Sequence, residues 1–308
     1  MKVNTLLNKK GWIIPVIILI LSIAGLLITI NKSSFDFGQI LYQYFIVYLL
    51  LILLHYLISS FPTPIYVGDN RFMMSFLIHR LSLVSGYLFP VKIGIPMKVY
   101  LFKRYLGISM SKTSAAVIFE ATVSIGIIIL GGISLGSLKY LKFDVRILLV
   151  FCLVLGVISF VLLRYSHRFG RFFLYRRINQ FVANVKNSFI EGSQNLQRVL
   201  LIIGITFIVI LLMIFRIQFL LLAIDEPLPL FQLMRAILIA ALITTLSMVP
   251  GGYAVREASL SFFLVQEGVT LEGAMIVVFV DRIFTTGCSF LLGIISSLIL
   301  MRRSDVSN

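Results

Sequence analysis

Acidic charge is scarce in this chain: 12 acids stand against 27 lysines and arginines over 308 residues, for a formal net charge of +15. Cysteine is nearly absent. Cys152 and Cys288 both fall inside apolar runs, which excludes a disulfide framework. The three histidines, His55, His79 and His167, are too scattered for the spacing of metal ligands, and no metal site follows from them. There is no glycine-rich phosphate loop, no nucleophile elbow and no polar stretch long enough for a soluble catalytic domain. No catalytic residue and no cofactor site is assigned, and the chain reads as no enzyme.

What is present is apolar. The chain is 59% hydrophobic and 13% charged, with a mean hydropathy of +1.05. Several runs reach the roughly 20 residues that cross ~30 Å of hydrocarbon as helix. The runs are continuous rather than alternating, which argues against a barrel. The reading is an all-α polytopic membrane protein. Trp12–Ile30 follows Lys2, Lys9 and Lys10, is long for a signal peptide and lacks a small-residue cleavage site, so it reads as an uncleaved first span. The positive charge lies largely in loops and ends, where the positive-inside rule and anionic lipid account for it without nucleic acid.

Six full spans are expected: Trp12–Ile30, Gly38–Ser60, Thr113–Leu138, Ile147–Leu163, Val199–Ile224 and Ala274–Met301. Two further pairs of short apolar segments are broken or re-entrant. Phe72–Phe89 and Val91–Leu106 flank Pro90, and Ala236–Val249 and Gly251–Gln266 flank Pro250. Residues 1–308 form a single membrane domain. Its parts are a first repeat at 11–138, the fourth full span within 139–163, a basic cytoplasmic interfacial segment at 164–198 and a second repeat core at 199–301. In the basic segment Arg164, Arg168 and Arg171 interleave with Phe169, Phe172, Phe173 and Tyr175, as in a helix lying on anionic headgroups; a plain loop is the alternative. Lysines and arginines place both termini in the cytoplasm of a plasma-membrane protein, with Asp225-Glu226-Pro227 outside. The loop with Lys139, Lys142 and Arg146 disagrees and is outvoted.

The second half echoes the first. At an offset of 161, Gly107-Ile108-Ser109-Met110 falls on Gly268-Val269-Thr270-Leu271, and Glu120 falls on Asp281. At an offset of 160, Pro90 falls on Pro250. The loop charges give the two copies opposite orientation, so the broken pairs form an inverted repeat, which points to a binding site near the bilayer midplane.

Charges at membrane depth are costly unless paired or hydrated. Here they are Arg80, Lys98, Glu120, Arg216, Arg256, Glu257, Asp281 and Arg282. In Pro250-Gly251-Gly252-Tyr253-Ala254-Val255-Arg256-Glu257 the proline ends one helix and the glycines allow a tight turn. A short helix then begins, whose N-terminus favours an anion. Arg256 adds a planar fork suited to phosphate. Glu257 can hold Arg256, pair with Arg282 or meet a cationic headgroup. For Glu120 and Asp281, helix pairing competes with substrate contact, and Gly132 with Gly136 reads as a helix-packing pattern.

The stretch Pro250–Glu257, then Gly268-Val269, then Asp281-Arg282, resembles the transmembrane region of lysylphosphatidylglycerol synthases, a flippase-like membrane domain. That family shows a Pro-Gly-Gly-x-x-x-Arg-Glu core, a Gly-Val and an arginine in the last helix, and Arg256, Glu257 and Arg282 follow that order. Pro90, Gly94, Lys98, Gly107 and Glu120 carry the first-half pattern, and the resemblance covers roughly residues 10–300. Two departures alter the first copy. Ile95-Pro96 follows Gly94 where the family has Gly-Glu, and Ala121 follows Glu120, with Ser124 where a second acid would fall. In aminoacylating members the transferase is a separate C-terminal soluble domain. The chain ends at Asn308, just after the last helix, so the resemblance implies the membrane module without synthase activity.

The resulting expectation is a transporter that moves an amphiphilic lipid between leaflets: a phospholipid, an aminoacyl-phospholipid or a polyprenyl-linked sugar. Gly251, Gly252, Arg256 and Arg282 would hold the phosphate, with Glu257, Asp281, Lys98 and Glu120 completing the substrate site. The partners are an anionic or aminoacylated phospholipid headgroup and the surrounding membrane lipids. The alternatives are a non-transporting scaffold for a separately encoded glycosyl- or aminoacyl-transferase, and a small-solute secondary transporter.

Overall fold

The computed structural model describes residues 41–88, 93–134, 173–247, 252 and 254–305. Among these residues every regular element is a helix. In chain order they are α1 (Tyr42–Ile58), α2 (Pro62–Val67), α3 (Phe72–Leu88), α4 (Gly94–Leu106) and α5 (Met110–Ser134). Then come α6 (Phe173–Gln194), α7 (Leu196–Ala223), α8 (Leu230–Leu246), α9 (Val255–Gln266) and α10 (Leu271–Asp305). Among the described residues four stretches are long and apolar enough to cross a membrane: Tyr42–Val67, Met110–Gly132, Leu196–Ala223 and Leu271–Arg302. They match four of the six expected spans, with α2 carrying the first of them past Ser60. Trp12–Ile30, Ile147–Leu163, Pro90 and Pro250 lie outside the described residues.

The halves correspond element by element. α3 and α4 form one helical hairpin, α8 and α9 another, and each hairpin runs into a long helix, α5 or α10. Gly107 and Gly268 turn the short helix into the long one, at φ +70 and +108, a backbone conformation that favours glycine. The packing shows the same correspondence. α4 packs on α5 as α9 packs on α10, while α3 lies along α10 and α8 along α5. Each hairpin therefore leans its first helix on the long helix of the other half.

The repeat is inverted because α1 and α7, its equivalent leading helices, pack antiparallel. The Leu41 amide, at the start of α1, donates to the Ala223 carbonyl at the end of α7, at 3.0 Å. At the far end Gly68, just after α2, abuts the Arg198 guanidinium at the start of α7. The first hairpin has its base at that far end, where Arg71 binds Asp69 and donates from Nη2 to the Leu106 carbonyl at 2.8 Å. Those hydrogen bonds from Arg71 hold the Asp69 carboxyl below the usual carboxylate range. The second hairpin has its base at the opposite end. There Gln218 reaches the Leu228 carbonyl at 3.0 Å, and Arg235 pairs with Glu267.

Helix α6 is amphipathic and packs on α5, with Phe189 5.9 Å from the Phe119 ring. Phe181 and Ile190 remain exposed. Residues Phe173–Gln194 are helical, while Arg164, Arg168, Arg171, Phe169 and Phe172 lie outside the described residues.

Candidate functional site

Both hairpin tips reach one cavity of about 500 Å³. Its walls include His79, Ser82 and Tyr87 of α3, Lys98 of α4 and Glu120 of α5. From the second half come Thr244, Thr245 and Gly252. Gly252 is glycine by necessity. Its φ is +66, and a Cβ there would fall 2.6 Å from Thr244 Cγ2. Ala254 also holds a positive φ, +62, as the chain enters α9. A smaller cavity of about 200 Å³ lies on the side of α7, α8 and α9. It is lined by Arg256 and shares Thr244 and Thr245 with the larger one.

The charges pair between hairpin and long helix. In the first half Lys98 Nζ of α4 lies 3.2 Å from Glu120 Oε2 of α5, and Thr63 donates to the same oxygen at 3.0 Å. In the second half Arg256 Nη2 of α9 lies 2.8 Å from Asp281 Oδ2 of α10. Glu120 and Asp281 are the acids 161 residues apart, and each takes a cation from the short helix of its own hairpin, although Lys98 and Arg256 do not align at either repeat offset. Asp281 has two further contacts: Arg216 Nε of α7 at 2.8 Å from Oδ1, and the Tyr48 hydroxyl of α1, from the first half, donating at 3.4 Å. The second half also adds an ion pair with no first-half counterpart among the described residues, Arg282 Nε to Glu257 Oε1 at 3.1 Å. Arg282 lies 5.9 Å from the centroid of Tyr87, a cavity residue.

Among the described residues at membrane depth, Arg80, Lys98, Arg216, Arg256 and Arg282 face Glu120, Glu257 and Asp281. These described residues thus carry a surplus of two positive charges, an environment that favours an anion. No group of three His, Cys, Asp or Glu side chains among the described residues could hold a metal.

The sequence-derived residues divide into three groups. Lys98, Glu120 and Gly252 line the larger cavity and Arg256 the smaller. Asp281, 2% exposed, anchors Arg256 and Arg216 from behind. Glu257 and Arg282 bind each other, which selects one of the three partners open to Glu257. Gly251 lies outside the described residues. Sequence reasoning missed Tyr48, Thr63, His79, Thr244 and Thr245. The available signal was polar side chains at helical spacing inside apolar runs, as with Tyr48, His55 and Ser59.

Long apolar helices, opposed hairpins and a charged interior define the molecule as an integral, all-α polytopic membrane protein arranged as an inverted repeat. The chain belongs to the lysylphosphatidylglycerol synthase TM region family, whose model matches residues 12–293. No curated protein and no solved structure matches the chain.

Proposed function

We propose that the chain moves an amphiphilic lipid with an anionic or aminoacylated headgroup between leaflets. The headgroup enters the cavity between the hairpin tips and the tails stay in the bilayer. One observation carries this reading: two hairpins with bases at opposite ends of the molecule share a single cavity of about 500 Å³. A site reached by both members of an inverted pair can be offered to either side in turn. Lys98, Glu120 and Gly252 meet the headgroup in that cavity, and Arg256, in the smaller cavity across Thr244 and Thr245, handles the phosphate together with Arg282 and Gly251. Both termini face the cytoplasm, and the repeats span 11–138 and 199–301. The family relation supports a role in membrane-lipid handling, since the family is the membrane part of a lipid-modifying synthase.

The test is leaflet exchange in proteoliposomes. Labelled phosphatidylglycerol and its lysyl derivative are followed with a membrane-impermeant quencher. Exchange above empty liposomes is expected, with at least a tenfold loss in Arg256→Ala, about 1.4 kcal/mol in barrier. Arg216 still answers Asp281 in that variant, so the fold is retained. Undiminished exchange by Arg256→Ala would remove Arg256 from the site. No exchange of either lipid by folded wild type would leave the scaffold for a separate transferase as the better reading.

A further inference from the structure

Arg80 is 1% exposed and heads the large buried side chains. Its Nη2 donates to Ser59 Oγ at 2.9 Å. Its guanidinium carbon lies 4.7 Å from the Tyr56 ring centroid and 5.6 Å from that of Phe76. Nε and Nη1 have no hydrogen-bond partner among the described residues, and with one Nη2 donor used by Ser59 four of the five guanidinium N–H donors are unanswered there. Every other buried cation among the described residues of the interior has a carboxylate: Lys98 has Glu120, Arg216 and Arg256 share Asp281, and Arg282 has Glu257. Arg80 has none within ion-pair distance among the described residues. The aromatic faces lessen its charge without cancelling it. Tyr56 is fixed in place, its hydroxyl 2.5 Å from the Thr285 carbonyl and 2.7 Å from Ser289 Oγ.

The position of this charge gives it meaning. Leu83 and Tyr87, three and seven residues further along the same face of α3, line the larger cavity. His79, the residue before Arg80, also lines it, and its Nδ1 is buried without a partner among the described residues. The charged lining of the cavity, Lys98 with Glu120, is neutral as a pair. An uncompensated positive charge therefore stands beside a cavity that is otherwise balanced. In a poorly screened interior such a charge acts over roughly 10 Å without direct contact.

We propose that Arg80 is the charge-selecting residue of the larger cavity. It makes the cavity accept a headgroup of net negative charge, such as a phosphodiester with a neutral alcohol, ahead of zwitterionic or cationic headgroups. The inference rests on the reading that this cavity receives a lipid headgroup. Two measurements on the full chain separate it from the transport reading. Purified protein in detergent is titrated with phosphatidylglycerol, phosphatidylcholine and lysyl-phosphatidylglycerol, and bound lipid is counted by native mass spectrometry. The same lipids are then compared in leaflet exchange. Wild type is expected to prefer phosphatidylglycerol over phosphatidylcholine by about tenfold. Arg80→Gln brings that ratio close to one, and Arg80→Lys keeps most of it. Arg80→Met, which retains the stem between the two rings, takes the place of the glutamine variant if that one does not fold. An unchanged preference in a folded Gln or Met variant overturns the proposal, as does a wild type that binds phosphatidylcholine equally well. Selective binding that Arg80→Gln abolishes, with no exchange of any lipid, supports the role of Arg80 and overturns transport instead.

Discussion

Asp281 answers two guanidinium groups at once, with Arg216 reaching both oxygens and Arg256 meeting Oδ2. Removing a buried partner leaves its counter-charges in low dielectric, which costs about 3–5 kcal/mol. Asp281→Ala is therefore expected to lower the thermal midpoint of the purified protein sharply. Glu120 is 24% exposed, and its single cation can reach the cavity, so Glu120→Ala should cost about 1 kcal/mol. Equal losses in a thermal melt of the two variants would show that the halves bear the same electrostatic load. The equivalence of Glu120 and Asp281 was legible in the sequence, because it depends on spacing alone. Their partners were not. Arg216 and Arg80 look alike in sequence, each a single cation in an apolar run, yet one is doubly bonded to a carboxylate and the other meets two aromatic rings. That difference is set by which helix lies opposite.

Among the elements, the helical hairpins were readable from their glycines and from the shortness of their arms. Their cross-packing was not, since an apolar run does not name the helix it lies on. The contact between α3 and α10 depends on Gly293, where a Cβ would come within 3.0 Å of Val84 Cβ. The α5–α8 contact uses the same device at Gly131, where a Cβ would fall 2.9 Å from Leu238 Cδ1. Sequence spacing had pointed instead to Gly132 with Gly136, and Gly136 lies outside the described residues. Gly293→Ala is expected to destabilise by about 1–3 kcal/mol through overpacking. Val84→Ala in the same chain should restore most of that loss. A double variant as unstable as the sum of the two singles would mean that α3 and α10 do not meet there.

For the molecule as a whole, the inversion makes a prediction about sidedness. Asp69 lies at the base of the first hairpin and Asp225 beside that of the second, at opposite ends. Single cysteines at these positions, in a chain without Cys152 and Cys288, should react with an impermeant reagent from opposite faces of a sealed membrane. Reaction of both from one face would contradict the antiparallel pairing of α1 with α7.

The two cavities are unequal, about 500 Å³ on the side of the first hairpin and about 200 Å³ on that of the second. An inverted repeat relates the halves by an axis in the plane of the membrane, yet the volumes do not obey it. A molecule whose parts are equivalent but whose state is not has a partner state, obtained by exchanging the roles of the parts. In that conformer the roomy chamber would adjoin Arg256 and the narrow one Lys98, with Thr244 and Thr245 still the wall between them. On the proposed transport reading, the asymmetry seen here corresponds to one end of the cycle and the exchanged conformer to the other.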